Sequence, residues 1–360
     1  MVTSISPTAV DRGRFRSSWA TGPVESAIAI VVGVLVGSVV LLLTGHDPVA
    51  AYGALVERTL LRPSGLQESL VRATPILIAG AAVLVAVRAG VWNIGVDGQV
   101  LIGALAGATV ASHLTTSSRP VLWLAVVVIA GLAGALWALP PALLRARFGV
   151  NEIVSTIMFN YVALFLTAWL VKGPLRDPGL VTPQTPSIPR ELRLTLLGDT
   201  RVHVGLLAAV AIVVVLGLAL RWTVVGLELR VVGANPRAAR YLLIPVRGYL
   251  AAAFLVSGAL AGLAGANDVL STKGTFQAEW NPEYGFVAFA LVFLARRNAW
   301  AMLPAAILFG MLSYGGDVMP RAAGIDSSFF GLLEGSLLIS LAVTGWLPGL
   351  IRRRRSAGGA

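Results

Sequence analysis

Apolar residues run along this chain in blocks of roughly the twenty residues that a helix needs to cross a bilayer core of about 30 Å. Polar residues are largely confined to the stretches between the blocks. On that criterion, spans are predicted at 24–44, 69–87, 99–117, 120–143, 153–171, 202–220, 249–268, 285–295, 299–315 and 329–348. The expected fold is an all-α polytopic membrane protein with about ten transmembrane helices, some of them short or broken. Within 285–315, one long broken hairpin and two short tilted helices around Arg296-Arg297-Asn298 both fit the pattern.

An even number of spans puts both termini on one side, and the arginines choose the side. With the termini inside, the inside set runs from Arg12, Arg14 and Arg16 through Arg88, Arg145, Arg147, Arg221, Arg230, Arg237, Arg240, Arg247, Arg296 and Arg297 to Arg352–Arg355. That is 17 of the 28 basic residues. The short inside loops carry the signal, since long loops weigh little in the positive-inside rule. The chain therefore reads N-inside and C-inside. Residues 1–23 form a cytoplasmic N-terminal segment, 24–348 the transmembrane domain and 349–360 a basic cytoplasmic tail. The first apolar run is longer than the h-region of a signal peptide and leads into Gly45-His46-Asp47-Pro48, so it is read as an uncleaved span. The loop 173–201 falls outside. Its prolines between 174 and 189 forbid a continuous helix, and a small cap is expected there.

Polar residues inside this pattern are informative because an ionised group at bilayer depth costs at least about 2.5–3.5 kcal/mol. The segment VWNIGVDGQV (91–100) holds Asn93, Asp97 and Gln99 between apolar runs. A continuous helix over 69–117 would be roughly 73 Å long, so the chain must break, and Gly90, Gly95 and Gly98 are where it can. One reading is a capped turn on the inside face. The other is a discontinuous helix beside a solute pathway, with the three polar side chains serving freed backbone groups or the solute itself. Asn151-Glu152 opens a further span, with Asn151 as N-cap and Glu152 complementing the helix dipole. Asn160 sits mid-helix and should face other helices or a pore. Asn267, Asp268, Asp317 and Glu334 are the remaining polar residues in or near spans.

The longest inside loop, 221–248, is basic and contains Asn235-Pro236, a helix start with Asn as cap and Pro at the first position. Residues 236–244 are expected to form a short helix along the membrane, with Arg237 and Arg240 on one face. It reads either as an interfacial helix with snorkelling arginines or as a surface on which a cytoplasmic subunit pushes.

Composition narrows the function. Hydrophobic residues make up 56% and charged residues 12% of the chain, against about 25% charged in soluble domains. There is no Cys, so disulfides and thiolate metal sites are excluded, and the three His match no metal motif. The net charge of +11 follows from arginine placement rather than from a nucleic-acid-binding domain. The two lysines, Lys172 and Lys273, follow Val171 and Thr272, so no Gly-Lys-Ser/Thr phosphate loop is present.

Three segments together resemble the permease subunits of bacterial ABC importers for nucleosides and simple sugars, within the branched-chain amino acid and ribose permease group. They are WNIGVDGQVLIGALAGA, NEIVSTIMFNYVALF, and GANPRAARYLLIPV with GALAGLAGANDVL, in the same order over about 65–345. The resemblance implies a pathway-lining subunit that works with a second permease, a cytoplasmic ABC ATPase and an extracytoplasmic solute-binding lipoprotein in the bacterial cell (inner) membrane. ATP and Mg would bind the partner ATPase, with no cofactor in this chain. It also implies that Asn93, Asp97 and Gln99 lie in a broken helix near the pathway, with Asn151, Glu152 and Asn160 nearby. Gly233, Asn235, Arg237, Ala239 and Arg240 would fall in the ATPase-coupling loop. The segment LARRNAW (294–300) departs from the group's pattern, with Trp300 where Pro is common. Nucleosides are the first choice of solute and simple sugars the second. An ion-coupled secondary transporter is the alternative, with Asp97, Glu152 and Glu334 relaying protons.

Overall fold

A computed structural model describes residues 13–115 and 118–357 of the chain. The start of the N-terminal segment, the end of the third predicted span at 116–117 and the last three tail residues lie outside the described residues, as do the side chains of Arg14, Arg16 and Arg352–Arg355. The described residues form α1 (Gly13–Leu43), α2 (Pro48–Val56), α3 (Pro63–Arg88), α4 (Val96–His113), α5 (Arg119–Phe148), α6 (Glu152–Lys172), α7 (Gly205–Trp222), α8 (Val224–Ala234), α9 (Pro236–Tyr241), α10 (Val246–Asp268), α11 (Tyr284–Leu294), α12 (Ala299–Ala323) and α13 (Ser328–Ala357). The fold is all-α and polytopic, and each predicted span falls on one helix. Seven helices, α1, α3, α5, α6, α7, α10 and α12, are long and apolar enough to cross a membrane. Shorter apolar stretches lie in α11 and over Ser328–Leu341 of α13.

The segment 285–315 resolves into two unequal helices. α11 has 11 residues and rises about 16 Å, roughly half of a hydrocarbon core. The chain then reverses through Ala295–Asn298, where Arg296 and Arg297 both take positive φ, 51° and 58°. Asn298 caps α12 by accepting from Trp300 N at 3.1 Å. A proline at 300 could not donate that bond, so the departure from the family pattern carries a bond of its own.

α3 runs through the centre. Ile76, Leu77, Val83 and Leu84 are all buried, packed with α10, α11 and α12. Beside it, α4, α5 and α10 come together through small residues. A Cβ on Gly262 would lie against the Ala130 carbonyl and 3.2 Å from Gly134 Cα, and one on Gly103 would meet the Gly262 backbone. With no hydrophobic drive between helices in lipid, close backbone approach supplies the dispersion that holds such a trio.

Two local expectations need correction, and two further stretches hold helices that the apolar pattern left unassigned. The span predicted from 202 begins at Gly205, because Leu197 N donates to Val202 O and Val204 N to Thr195 O in a short hairpin. The basic loop holds a further helix ahead of 235, α8 over 224–234, with Thr223 as its cap. The helix after Asn235 is only six residues long and ends before Leu243, whose φ is 58°. Residues 48–61, unassigned from the apolar pattern, form α2 and a π turn, with Asp47 accepting from Val49 N at 2.8 Å.

The 173–201 segment folds as a cap on the end of the bundle opposite α8 and α9. Thr185 N donates to Phe276 O at 3.0 Å and Ile188 N to Gly274 O at 2.8 Å, so the cap is stitched to the link between α10 and α11. Ile188 and Phe276 fill its interior at 1% exposure each.

Candidate functional site

The break after α3 starts at Gly90, which takes φ 76°. Glycine is required there for a second reason, since a Cβ would sit 2.8 Å from Gly233 Cα. The chain then climbs back along α11. Trp92 stacks on Phe289 and Phe293 at 6.0 and 5.6 Å between ring centroids. α4 starts beside the first turn of α11 rather than at the end of α3.

Each of the three polar residues of the break has a defined partner. Asn93 Nδ2 donates to Gln99 Oε1 at 2.9 Å and to Ser257 Oγ at 2.8 Å. Its Oδ1 accepts from Gln99 Nε2 at 3.1 Å and from Gly95 N at 3.2 Å. Those four bonds use the full capacity of a primary amide, and both Asn93 and Gln99 are buried. Asp97 reaches across to the other broken element, where its Oδ1 accepts from Gly285 N at 2.6 Å. The carboxylate thus sits on the N-terminus of α11, where free N–H groups and the helix dipole favour negative charge. A Cβ at 285 would lie 2.7 Å from Asp97 Oδ2, so that approach needs glycine.

Asn160 of α6 joins the same centre. It accepts from Gly98 N and donates to Ile94 O, both at 2.8 Å, serving two backbone groups freed by the break. Asn151 and Glu152, nine and eight residues earlier on the same helix, lie at its start. Asn151 caps α6 by accepting from Ile153 N at 2.9 Å. Glu152 is buried and pairs with Arg145 Nε at 3.3 Å. Asn93 and Gln99 are therefore bonded to each other, Asn160 to the backbone of the same break and Asp97 to α11, while Asn151 and Glu152 lie apart at the start of α6.

The arginine-rich end is built on α8 and α9. Asn235 caps α9 with two bonds, from Arg237 N at 3.0 Å and Ala238 N at 3.1 Å. Ala239 is fully buried beneath the helix. Arg237 and Arg240 are exposed above it. Tyr241 and Leu243 are each 90% exposed, which leaves an apolar knob ringed by guanidinium groups. Gly233 packs on the backbone of Arg88, Ala89 and Gly90, so the knob rests on the first residues of the break. Arg88 donates to the Arg297 carbonyl, tying the same point to the turn after α11.

Residues 65–342 match the model of the branched-chain amino acid transport system permease component. The chain belongs to this permease family. It is 34% identical over 330 residues to the glucose ABC transporter permease protein TsgB13 of Haloferax volcanii, covering 87% of this chain and 85% of that protein. It is 32% identical over 324 residues to the guanosine ABC transporter permease protein NupP of Bacillus subtilis, covering 88% and 91%. The nucleoside ABC transporter permease protein NupB of Lactococcus lactis is 28% identical over 326 residues, covering 88% and 89%. Bacillus subtilis also holds a second matching protein, the guanosine ABC transporter permease protein NupQ, at 28% identity over 292 residues.

The permease carries functional candidates beyond the motifs read from its sequence. Trp92 and Phe286 are 42% and 51% exposed, and Asn281 and Glu283, just ahead of α11, are exposed polar residues. Their common feature is exposure in, beside or just ahead of α11, which an apolar pattern alone does not reveal. Gly90 and Gly233 were each visible as glycines, but their contact joins residues far apart in the chain.

Proposed function

We propose that this permease is the transmembrane subunit of an ATP-driven importer that carries a nucleoside or a related small polar solute. The observation that carries the reading is the continuous route from the exposed knob of α9, through the Gly233–Gly90 contact, to the break that holds α11 by Asp97. A cytoplasmic ABC ATPase binding ATP and Mg would seat on Arg237, Arg240, Tyr241 and Leu243. The chain itself has no phosphate loop. Closure of the ATPase would shift α9 and, through Gly233, the start of the break. A partner drives such a switch only by binding its two states unequally.

In this reading Asn93, Gln99 and Asn160 hold the broken backbone beside the pathway. Asp97 sets the position of α11, while Asn151 and Glu152 with Arg145 fix the inner end of α6. The solute would pass the exposed face of α11, along Asn281, Glu283, Phe286 and Trp92. Flat aromatic faces beside polar groups suit a nucleobase with its sugar, and relatives named for guanosine and nucleosides support that class. A simple sugar is the alternative, supported by the relative named for glucose. A second permease completes the pathway, in keeping with the pair of guanosine permeases in one organism. A solute-binding lipoprotein delivers solute to the 173–201 cap, and the assembly sits in the bacterial cell (inner) membrane.

The test is uptake into proteoliposomes containing this chain with its partner permease and ATPase. Guanosine uptake should require ATP and the ATPase. Uptake by this chain alone, driven by a proton or sodium gradient without ATP, would overturn the reading in favour of a secondary transporter.

A further inference from the structure

Of the carboxylates in or near spans that the importer reading does not use, Asp268 and Asp317 have bonded partners and Glu334 has none among the described residues. Glu334 lies in α13 with apolar residues on both sides in sequence, and a carboxylate at that depth is kept out of lipid only by facing protein, water or a ligand. It faces a cavity of about 200 Å³ between α3, α11, α12 and α13, lined also by Tyr284, Val287, Ser313, Asp317 and Phe330. Two of the other polar side chains around it are occupied. Asp317 is ion-paired with Arg72, and the Tyr284 hydroxyl donates to Asp268 at 3.0 Å. Among the described residues no hydrogen bond or ion pair reaches the Glu334 carboxylate.

The wall chemistry indicates what would complete it. A bare divalent cation of the calcium type needs six or more oxygen ligands. This cavity offers one free carboxylate and two serine hydroxyls among apolar and aromatic walls. That mixture belongs to a small organic ligand held by a few placed polar groups. A carboxylate accepts two parallel donors at once, and such paired bonds are both strong and directional. The cavity is also well placed. Pro282 and Tyr284 line it, while the preceding Asn281 lines a second cavity of about 470 Å³ under the cap with Trp280, Gln277 and Glu279. The following Gly285 is the residue held by Asp97.

We infer that the Glu334 cavity is a solute subsite between the cavity under the cap and the break, and that Glu334 recognises two adjacent hydrogen-bond donors on the solute. The inference rests on the importer reading above. Two sources present such donors, the vicinal hydroxyls of a ribose or hexose ring and the adjacent N–H groups of a guanine edge. Phe330, 4% exposed, would pack against the ring in either case.

The experiment uses the full reconstituted complex and compares wild type with Glu334→Gln and Glu334→Asp for uptake of labelled guanosine and glucose. Gly335→Ala is the packing control, since a Cβ there meets nothing within 4 Å. Glu334→Gln should raise KM about ten- to hundredfold, the expected loss for a charged hydrogen-bonded pair, with kcat and bound ATPase unchanged. The control should match wild type. If the hydroxyls are the donors, 2′-deoxyguanosine should compete poorly with guanosine in wild type, and Glu334→Gln should erase the difference. If the base edge supplies them, inosine should show that behaviour instead. An unchanged KM in Glu334→Gln for every solute the wild type carries overturns the inference and leaves the importer reading standing. If Glu334→Gln cannot be recovered, Glu334→Asp must show the rise, because it draws the carboxylate back by one methylene, and an unchanged KM there overturns it equally. A wild-type complex that takes up neither solute with ATP overturns the importer reading and this inference together.

Discussion

A buried amide left unbonded is costly, and Asn93 is bonded at both ends, with partners in the break, α4 and α10. Asn93→Ala would orphan the Gln99 amide, the Ser257 hydroxyl and Gly95 N together. It should lower stability by at least about 1–3 kcal/mol, read as a lowered unfolding temperature of the purified protein in detergent. Asp97→Asn is the milder change, because an amide oxygen still accepts from Gly285 N while the charge assistance is lost. The variant should insert and purify normally, yet take up solute several-fold more slowly. Normal uptake would show that the charge has no part in transport. The two residues also mark how far sequence carried. That Asn93, Asp97 and Gln99 sit at a break followed from helix length against bilayer thickness. What they bond did not, because Gly285 is 188 positions from Asp97 and Ser257 is 164 from Asn93. Asn235-Pro236 was readable as a helix start, since an N-cap acts within three residues of itself, while the end of that helix was not.

Elements differ in the same way. Long apolar helices such as α5 and α7 were legible because length and hydropathy are properties of one segment. α2 and α8 were not, since both are short and α8 lies in a basic stretch, although Asp47-Pro48 and Thr223 are ordinary helix-start residues. α11 was legible as a short apolar run over 285–295, but the partner that holds its start was not, because Asp97 lies on another element. The contact between α8 and the break gives a prediction at this scale. Gly233→Val would drive a side chain into the Arg88 carbonyl and Gly90. The ATPase should still bind, because Arg237, Arg240, Tyr241 and Leu243 are untouched. Solute transported per ATP hydrolysed should fall sharply in reconstituted vesicles. Wild-type coupling in that variant would show that α9 acts through some other contact.

Across the whole molecule, the cap and the α9 knob lie at opposite ends of the bundle, and the positive-inside rule assigns them opposite compartments. The absence of cysteine makes that assignment directly measurable. A single cysteine at exposed Ser187 in the cap should react with an impermeant thiol reagent on intact cells. One at Arg240 should react only after permeabilisation, and the reverse pattern would invert the topology. Charge reversal by Arg240→Glu should reduce the ATPase that co-purifies with the permease, and unchanged recovery would move the docking surface off α9.

The bond from Gly285 N to Asp97 is one charge-assisted hydrogen bond, worth about 1.5–3 kcal/mol net. An arrangement with only that bond open would hold roughly 1–10% of molecules at rest, a population that exchanges thermally without any fuel. In the importer reading proposed above, a pathway closed by that bond alone would stand open too often to hold a gradient, and ion tightness would come from a second closure in series.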